Sequence, residues 1–169
     1  CGGPNPAERD MHQRAEAFGQ RDPTGADLFS GEYEYMDIYE VRARIAPDSF
    51  ARLLGIEVLE ASPTRAVAEL PLEKQFFNAH GSAHGGLIFS LADMAFAALV
   101  VANDLTCVNA QTSISYVKAG RKGPLRAEAR MLNSGRKLVT CEVSVLDADD
   151  ELLALATVTG YVMTPRPAA

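Results

Sequence analysis

Asn78-Ala79-His80-Gly81-Ser82-Ala83-His84-Gly85-Gly86, followed by the apolar run Leu87–Ala102, is the stretch that decides the fold. Within that run only Ser90 and Asp93 are strongly polar. Sixteen residues fall short of the roughly 20 apolar residues that span a bilayer. They suffice for a helix of about four turns. A helix that is apolar on every side has to be buried on every side. Asp93 is therefore expected in low dielectric, where an unpartnered carboxylate is costly. Such a carboxylate is a candidate general base or nucleophile, and its bland alternative is an Asp bonded to backbone or to a Ser/Thr hydroxyl. Gly85 and Gly86 open the helix, whose first N–H groups lack partners and carry partial positive charge. That combination can stabilise an oxyanion. Glycine also lets a ligand approach the backbone closely, although a tight turn alone would equally need it.

Outward from this helix the pattern changes to period two. Ile56–Ala61 and Arg65–Leu70 flank Ser62-Pro63-Thr64 and predict a hairpin. After the helix, Thr106–Lys118 alternates Val108, Ala110, Thr112, Ile114 and Tyr116 against Asn109, Gln111, Ser113 and Ser115. Leu125–Asn133, Leu138–Leu146 and Glu151–Met163 continue the strand pattern, the last two joined at Asp147-Ala148-Asp149-Asp150. Before the hairpin, Tyr35–Ile45 has helical character and Pro47 ends it. Asp48 then caps a short helix, Ser49–Leu54, which Gly55 closes. Five to six antiparallel strands with one long central helix make an α+β domain over 47–163. Ala92, Ala95, Ala97, Ala98 and Ala102 would let a curved sheet wrap closely around that helix. Residues 1–46 read as an N-terminal extension, partly helical around Pro6–Phe18, and 164–169 as a C-terminal tail.

The chain's 169 residues can bury a real core. Its net charge of −6 argues against nucleic acid as a partner. Basic residues nonetheless cluster locally: Lys118, Arg121, Lys122 and Arg126 lie close together, and Arg136-Lys137 follow Gly135. The neutral alternative for such clusters is a solvated loop. Three cysteines form no evident disulfide framework, and Cys107 and Cys141 sit in apolar runs as small hydrophobes, so a reducing cytoplasm is expected. No charged and apolar regions of a signal peptide are visible. The opening Cys1 fits a processed end better than a lipid-anchored one.

The element order, with Asn78-x-x-Gly81-x-x-His84-Gly85-Gly86 and then Leu91-Ala92-Asp93, resembles the hotdog-fold acyl-CoA thioesterases. Within them it is similar to the PaaI-type branch, named for phenylacetic acid degradation, over 47–163. The resemblance implies hydrolysis of an aryl or short-to-medium acyl-CoA, without metal or redox cofactor. It also implies a homodimer whose two sheets join, often paired into a homotetramer, with no membrane partner and an active site between subunits. Carried over by position, Asp93 is the catalytic carboxylate, Asn78 holds water or thioester, Gly85 gives the oxyanion-hole N–H and His84 supports it. The family also uses a hydroxyl from the strand after the helix. Thr112 and Ser113 both qualify, and Ser113 is preferred. Where many relatives carry Arg-Pro after that strand, this chain has Lys118-Ala119.

Coenzyme A gives the basic residues a purpose. Lys118, Arg121 and Lys122 at one strand end, and Gly135 and Arg136 at another turn, could meet its phosphates. Other chemistries fit less well. His80 and His84 are four apart, but the intervening glycines oppose a shared helical face and no third metal ligand has evident spacing. Ser90 lacks a Gly-x-Ser-x-Gly context. Neither a phosphate loop nor a dinucleotide fingerprint occurs. Two rivals remain on the same fold: an enoyl-CoA hydratase, which is a lyase, and a non-enzymatic acyl-CoA-binding sensor.

Overall fold

A computed structural model describes residues 35–164. The helix expected around Pro6–Phe18 and residues 165–169 of the expected tail lie outside them. The compact unit that holds the described residues takes in Tyr35 onward, twelve residues before the expected boundary at 47. The cause is apolar packing. Helix α1, Ile38–Ile45, buries Val41 completely and leans Ile38 and Ile45 on the core. Asp37 caps α1 in a capping box with Glu40, and Met36 N–H reaches Ala102 O at 3.3 Å. Helix α2, Ser49–Leu54, starts on Asp48 and stops at Gly55, whose φ of 70° lies in the left-handed region that favours glycine.

Six strands follow: β1 Glu57–Ala61, β2 Arg65–Leu70, β3 Thr106–Tyr116, β4 Leu125–Ser134, β5 Leu138–Leu146 and β6 Leu152–Thr164. They form one sheet, ordered β1-β2-β4-β5-β6-β3, with every pairing antiparallel. Helix α3, Gly85–Ala102, lies between β2 and β3 in sequence. It packs on the concave face, where Ala66, Ala68, Ala127 and Ala129 are fully buried. Small residues on both surfaces permit close approach of helix and sheet. Burial of Leu91, Leu99, Leu125, Leu153, Val143 and Val158 then supplies the apolar core. At about 25 cal/mol per Å² of apolar surface, this burial is the main force holding helix to sheet.

Helix α3 has the expected bounds, but with its two opening glycines its 18 residues would, by length and composition alone, permit a membrane span. Its burial assigns it to the core: 61% of it is inside the protein. It is not covered all round, which corrects the expected burial on every side. Gly86, Ser90, Asp93, Ala97 and Val101, spaced by three or four residues, form one incompletely covered stripe.

Candidate active site

Two grooves lie along that stripe. The first sits at the helix start and has a volume of about 380 Å³. Phe50, Leu54, Phe76 and Phe77 line it against His84, Gly86 and Ser90. The second, of about 300 Å³, holds Asp93, Ala97, Val101, Cys107 and Asn109, with Arg44 of α1.

The helix start is held from both sides. His84 is the N-cap, and its Nδ1 accepts the Gly86 N–H at 3.0 Å. Gly85, the first helical residue, therefore has an N–H with no intrahelical acceptor. Its carbonyl accepts the Tyr116 hydroxyl from β3 at 3.0 Å. Asn78 organises the preceding turn: its Oδ1 accepts the His80 and Ser82 N–H groups, and its Nδ2 donates to Ser82 Oγ at 3.0 Å. Ala83 N–H bonds Gly120 O at 2.7 Å, which ties this turn to the loop after β3. The structure thus brings Asn78, His84 and Gly85 together.

Asp93 is not among them. It lies eight residues beyond Gly85 on the same helix, about 12 Å along the axis at 1.5 Å per residue. It is half-buried rather than sealed from water. Asn109 Nδ2 donates to its Oδ1 at 2.7 Å and to Thr112 Oγ1 at 2.8 Å. Thr112 Oγ1 returns a bond to Asn109 Oδ1 at 3.0 Å. The pairing of β3 with β6 explains why Asn109 is here and Ser113 is not. The register slips between Asn109 and Gln111, where β3 bulges. Upstream, Cys107 and Asn109 pair with the buried Val162 and Gly160; downstream, Thr112 and Ile114 pair with the buried Val158 and Ala156. Ser113 pairs with the exposed Thr157 on the outer face. Simple alternation puts Asn109 outside, and the bulge turns it in.

Gly160 makes the floor of this groove possible. A Cβ there would stand 2.4 Å from Cys107 Sγ and 2.6 Å from Phe96. Burial pushes the Cys107 thiol up from its ordinary range and the Cys141 thiol up to about 12. Both therefore stay protonated at neutral pH and are poor nucleophiles.

The basic residues divide. Lys118 pairs with Glu151, Lys122 with Asp149 and Arg126 with Asp150, all from the β5–β6 turn. That acidic turn was not expected as their partner. These pairs are exposed and screened by solvent, so phosphate can displace the carboxylates. Among the described residues Arg121 and Arg136 have no ion-pair partner. Gly135 and Arg136 lie at the β4–β5 turn, a whole β5 strand away from Lys118. Nine residues at about 3.3 Å make that roughly 30 Å. One coenzyme A cannot touch both sets within a single chain. The set near Gly120 adjoins the helix start.

A family model described as the thioesterase superfamily matches residues 80–154. A candidate esterase of Deinococcus radiodurans is 44% identical over 110 residues, covering 63% of this chain and 74% of that protein. This chain belongs to the thioesterase superfamily. The acyl-coenzyme A thioesterase PaaI of Escherichia coli K12 is 30% identical over 109 residues, 64% of this chain and 78% of that one. The solved E. coli PaaI structure superposes with a TM-score of 0.71 at 26% identity, over 75% of this chain and 93% of that one. The six-stranded sheet around α3 is accordingly a hotdog fold of PaaI type, and the protein is a thioester hydrolase. Three residues of the site were not anticipated as such: Asn109, hidden by the bulge, Tyr116, whose place on the apolar side of the alternation was a usable signal, and Arg44, which lies before the expected domain.

Proposed function

We propose that this thioesterase hydrolyses acyl-CoA in a site assembled from two copies of the chain, with aryl-acetyl or short-to-medium acyl groups as substrates. The observation that carries this reading is the roughly 12 Å between Gly85 and Asp93 on one open helix stripe. Both cannot reach one carbonyl from the same chain. Two copies with antiparallel α3 helices would set the Gly85 end of one against the Asp93 groove of the other. Strand β3 favours such pairing: it is a sheet edge of 11 residues with none fully buried, a liability unless covered. This reading takes the protein as a homodimer, paired again into a tetramer. The free thiols Cys107 and Cys141 suit a reducing cytoplasm.

In this reading the Gly85 N–H polarises the thioester carbonyl and then holds the oxyanion. Asn78 shapes the turn that presents it. His84 caps the helix so that its open N–H groups face the substrate. Asp93 of the partner copy takes a proton from water as the water oxygen attacks the carbonyl carbon. The tetrahedral intermediate expels coenzyme A as thiolate, and the C–S bond breaks. Lys118, Arg121 and Lys122, beside the helix start, meet the phosphates. The groove lined by Phe96, Ala97, Val100 and Cys107 takes the acyl group.

Free-thiol release across a panel of acyl-CoAs tests the reading. Asp93→Asn is nearly isosteric but cannot accept the proton. Its kcat is expected to fall at least about 10²-fold with the fold retained. Hydration of crotonyl-CoA without thiol release would instead identify a hydratase. Binding of acyl-CoA with no turnover, accompanied by a DNA mobility shift, would identify a sensor.

A further inference from the structure

We infer that Arg44 selects acyl groups that carry a second carboxylate at their far end, the guanidinium binding that carboxylate where the Asp93 groove meets α1. The inference rests on the reading of that groove as the acyl site.

The groove has a charge at each end and none between. Asp93 stands at one end, and Arg44, in the last turn of α1, at the other. Ala97, Val100, Val101 and Leu105 line the stretch that joins them. Its volume of about 300 Å³ is within the range of small-molecule sites. Apolar walls alone would hold a plain aliphatic or aryl group, so a cation at the far end gives the groove a use for an anion. The neutral alternative is that Arg44 serves only its ion pair with Asp104, Nη1 to Oδ1 at 2.9 Å. That pair leaves most of the guanidinium unused. Both side chains are about half exposed, 51% and 47%, so the pair is weak and exchangeable. A guanidinium has five N–H donors, and among the described residues Nε and Nη2 of Arg44 have no other partner. Those two nitrogens form a fork that takes a carboxylate through two parallel bonds. The length also fits. From Asp93 to Val101 the helix rises about 12 Å over eight residues. An extended chain advances about 1.2 Å per bond, so up to roughly ten bonds separate the thioester carbonyl from the far carboxylate. That separation exceeds the Debye length of about 8 Å at physiological salt, so Asp93 repels the far carboxylate little.

The test measures thiol release by the full chain from a dicarboxylic acyl-CoA and from its methyl-ended counterpart of equal length. The ratio of their kcat/KM values should exceed one in the wild type. Arg44→Met keeps an apolar stem and removes the charge. It should lower the ratio about 5-fold, the upper end for an exposed ion pair, with the change carried by KM. Arg44→Glu should lower it further and turn the preference toward an acyl-CoA that ends in an ammonium group. Asp104 has a φ of 52°, which Asn tolerates. Asp104→Asn therefore keeps the turn, removes the competing carboxylate and should raise the ratio about 2-fold. A purely structural ion pair would lose stability in either variant and leave the ratio alone. Circular dichroism establishes that each variant is folded. A wild-type ratio at or below one, or a ratio unmoved in folded Arg44→Met and Asp104→Asn, overturns the inference. If the methyl-ended substrate is still cleaved, and Asp93→Asn abolishes that cleavage, the acyl-CoA hydrolase reading stands without it. An Arg44-dependent preference for a phenol-ended acyl group over the dicarboxylic one overturns the choice of carboxylate. Absence of thiol release from every substrate by the wild type overturns both the inference and the reading beneath it.

Discussion

The two ends of α3's open stripe are built on opposite plans. At Gly85 the chemistry is backbone: an unpaired N–H at a helix start, capped by His84 and braced by Tyr116. At Asp93 it is all side chain: a carboxylate held by Asn109, which Thr112 holds in turn. The first end offers partial positive charge and the second negative charge. Each is what the other lacks for cleaving a thioester, and about 12 Å of helix keeps them apart. In the proposed reading, one folded chain carries two half-sites. The helix dipole acts within the first turn and fades before Asp93, whose hydrogen-bond partner is Asn109 of β3.

Gly85→Pro should break the first half-site with the largest effect. Proline suits the first helical position and removes only the N–H. His84, with ψ of 137°, already has the backbone that precedes proline comfortably. The expected kcat loss is about 10²- to 10³-fold with helicity unchanged by circular dichroism. Gly85→Ala retains the N–H, and its Cβ would meet Tyr116 no closer than 3.5 Å, so it should lose little. Equal losses in both variants would show that space, not the N–H, matters there.

Gly160→Ala attacks the other half-site through its floor. The new Cβ would crowd Cys107, Phe96 and Val139, the last at 3.0 Å. Destabilisation of about 1–3 kcal/mol is expected in urea melts. Adding Cys107→Ala should recover part of it.

Glu128 lies remote from both ends and serves to calibrate them. Arg65 holds its carboxyl below the usual range at 2.9 Å, and Arg130 assists. A depressed carboxylate contributes stability above its unfolded value and loses it as pH falls through the folded one. The wild type should therefore weaken as pH drops below about 4.5, the ordinary value for Glu. Glu128→Gln should cost about 1 kcal/mol near pH 7 in urea melts, flatten that acid-side decline, and leave kcat alone.

The fold was readable because its determinants are local. Asp48 and Gly55 bound α2, and β5, Leu138–Leu146, has the limits its alternation predicts. That Ile38–Ile45 packs on the domain was not legible, because Val41 is buried by a distant helix, which no window of sequence displays. At the site, Gly85 and His84 were readable from the helix start. Asn109 was not, because a single-residue bulge inverts the alternation that assigned it outward. The basic cluster was visible, but its acidic neighbours Asp149 and Glu151 come from across the sheet. Ser113 was preferred over Thr112, but the partners of β3 on β6 put Thr112 on the helix side and Ser113 on the outer face.

Mixing two inactive variants tests the shared site most directly. Asp93→Asn and Gly85→Pro chains, unfolded together in equal amounts and refolded, would form mixed dimers at random. Each mixed dimer holds one site with both an intact Asp93 and an intact Gly85. The account predicts recovery of about a quarter of wild-type thiol release per chain, from two proteins that are each nearly inactive alone. Activity no higher than the mean of the separate variants, with mixed dimers shown present by mass, would contradict it and place both groups of each site in one chain.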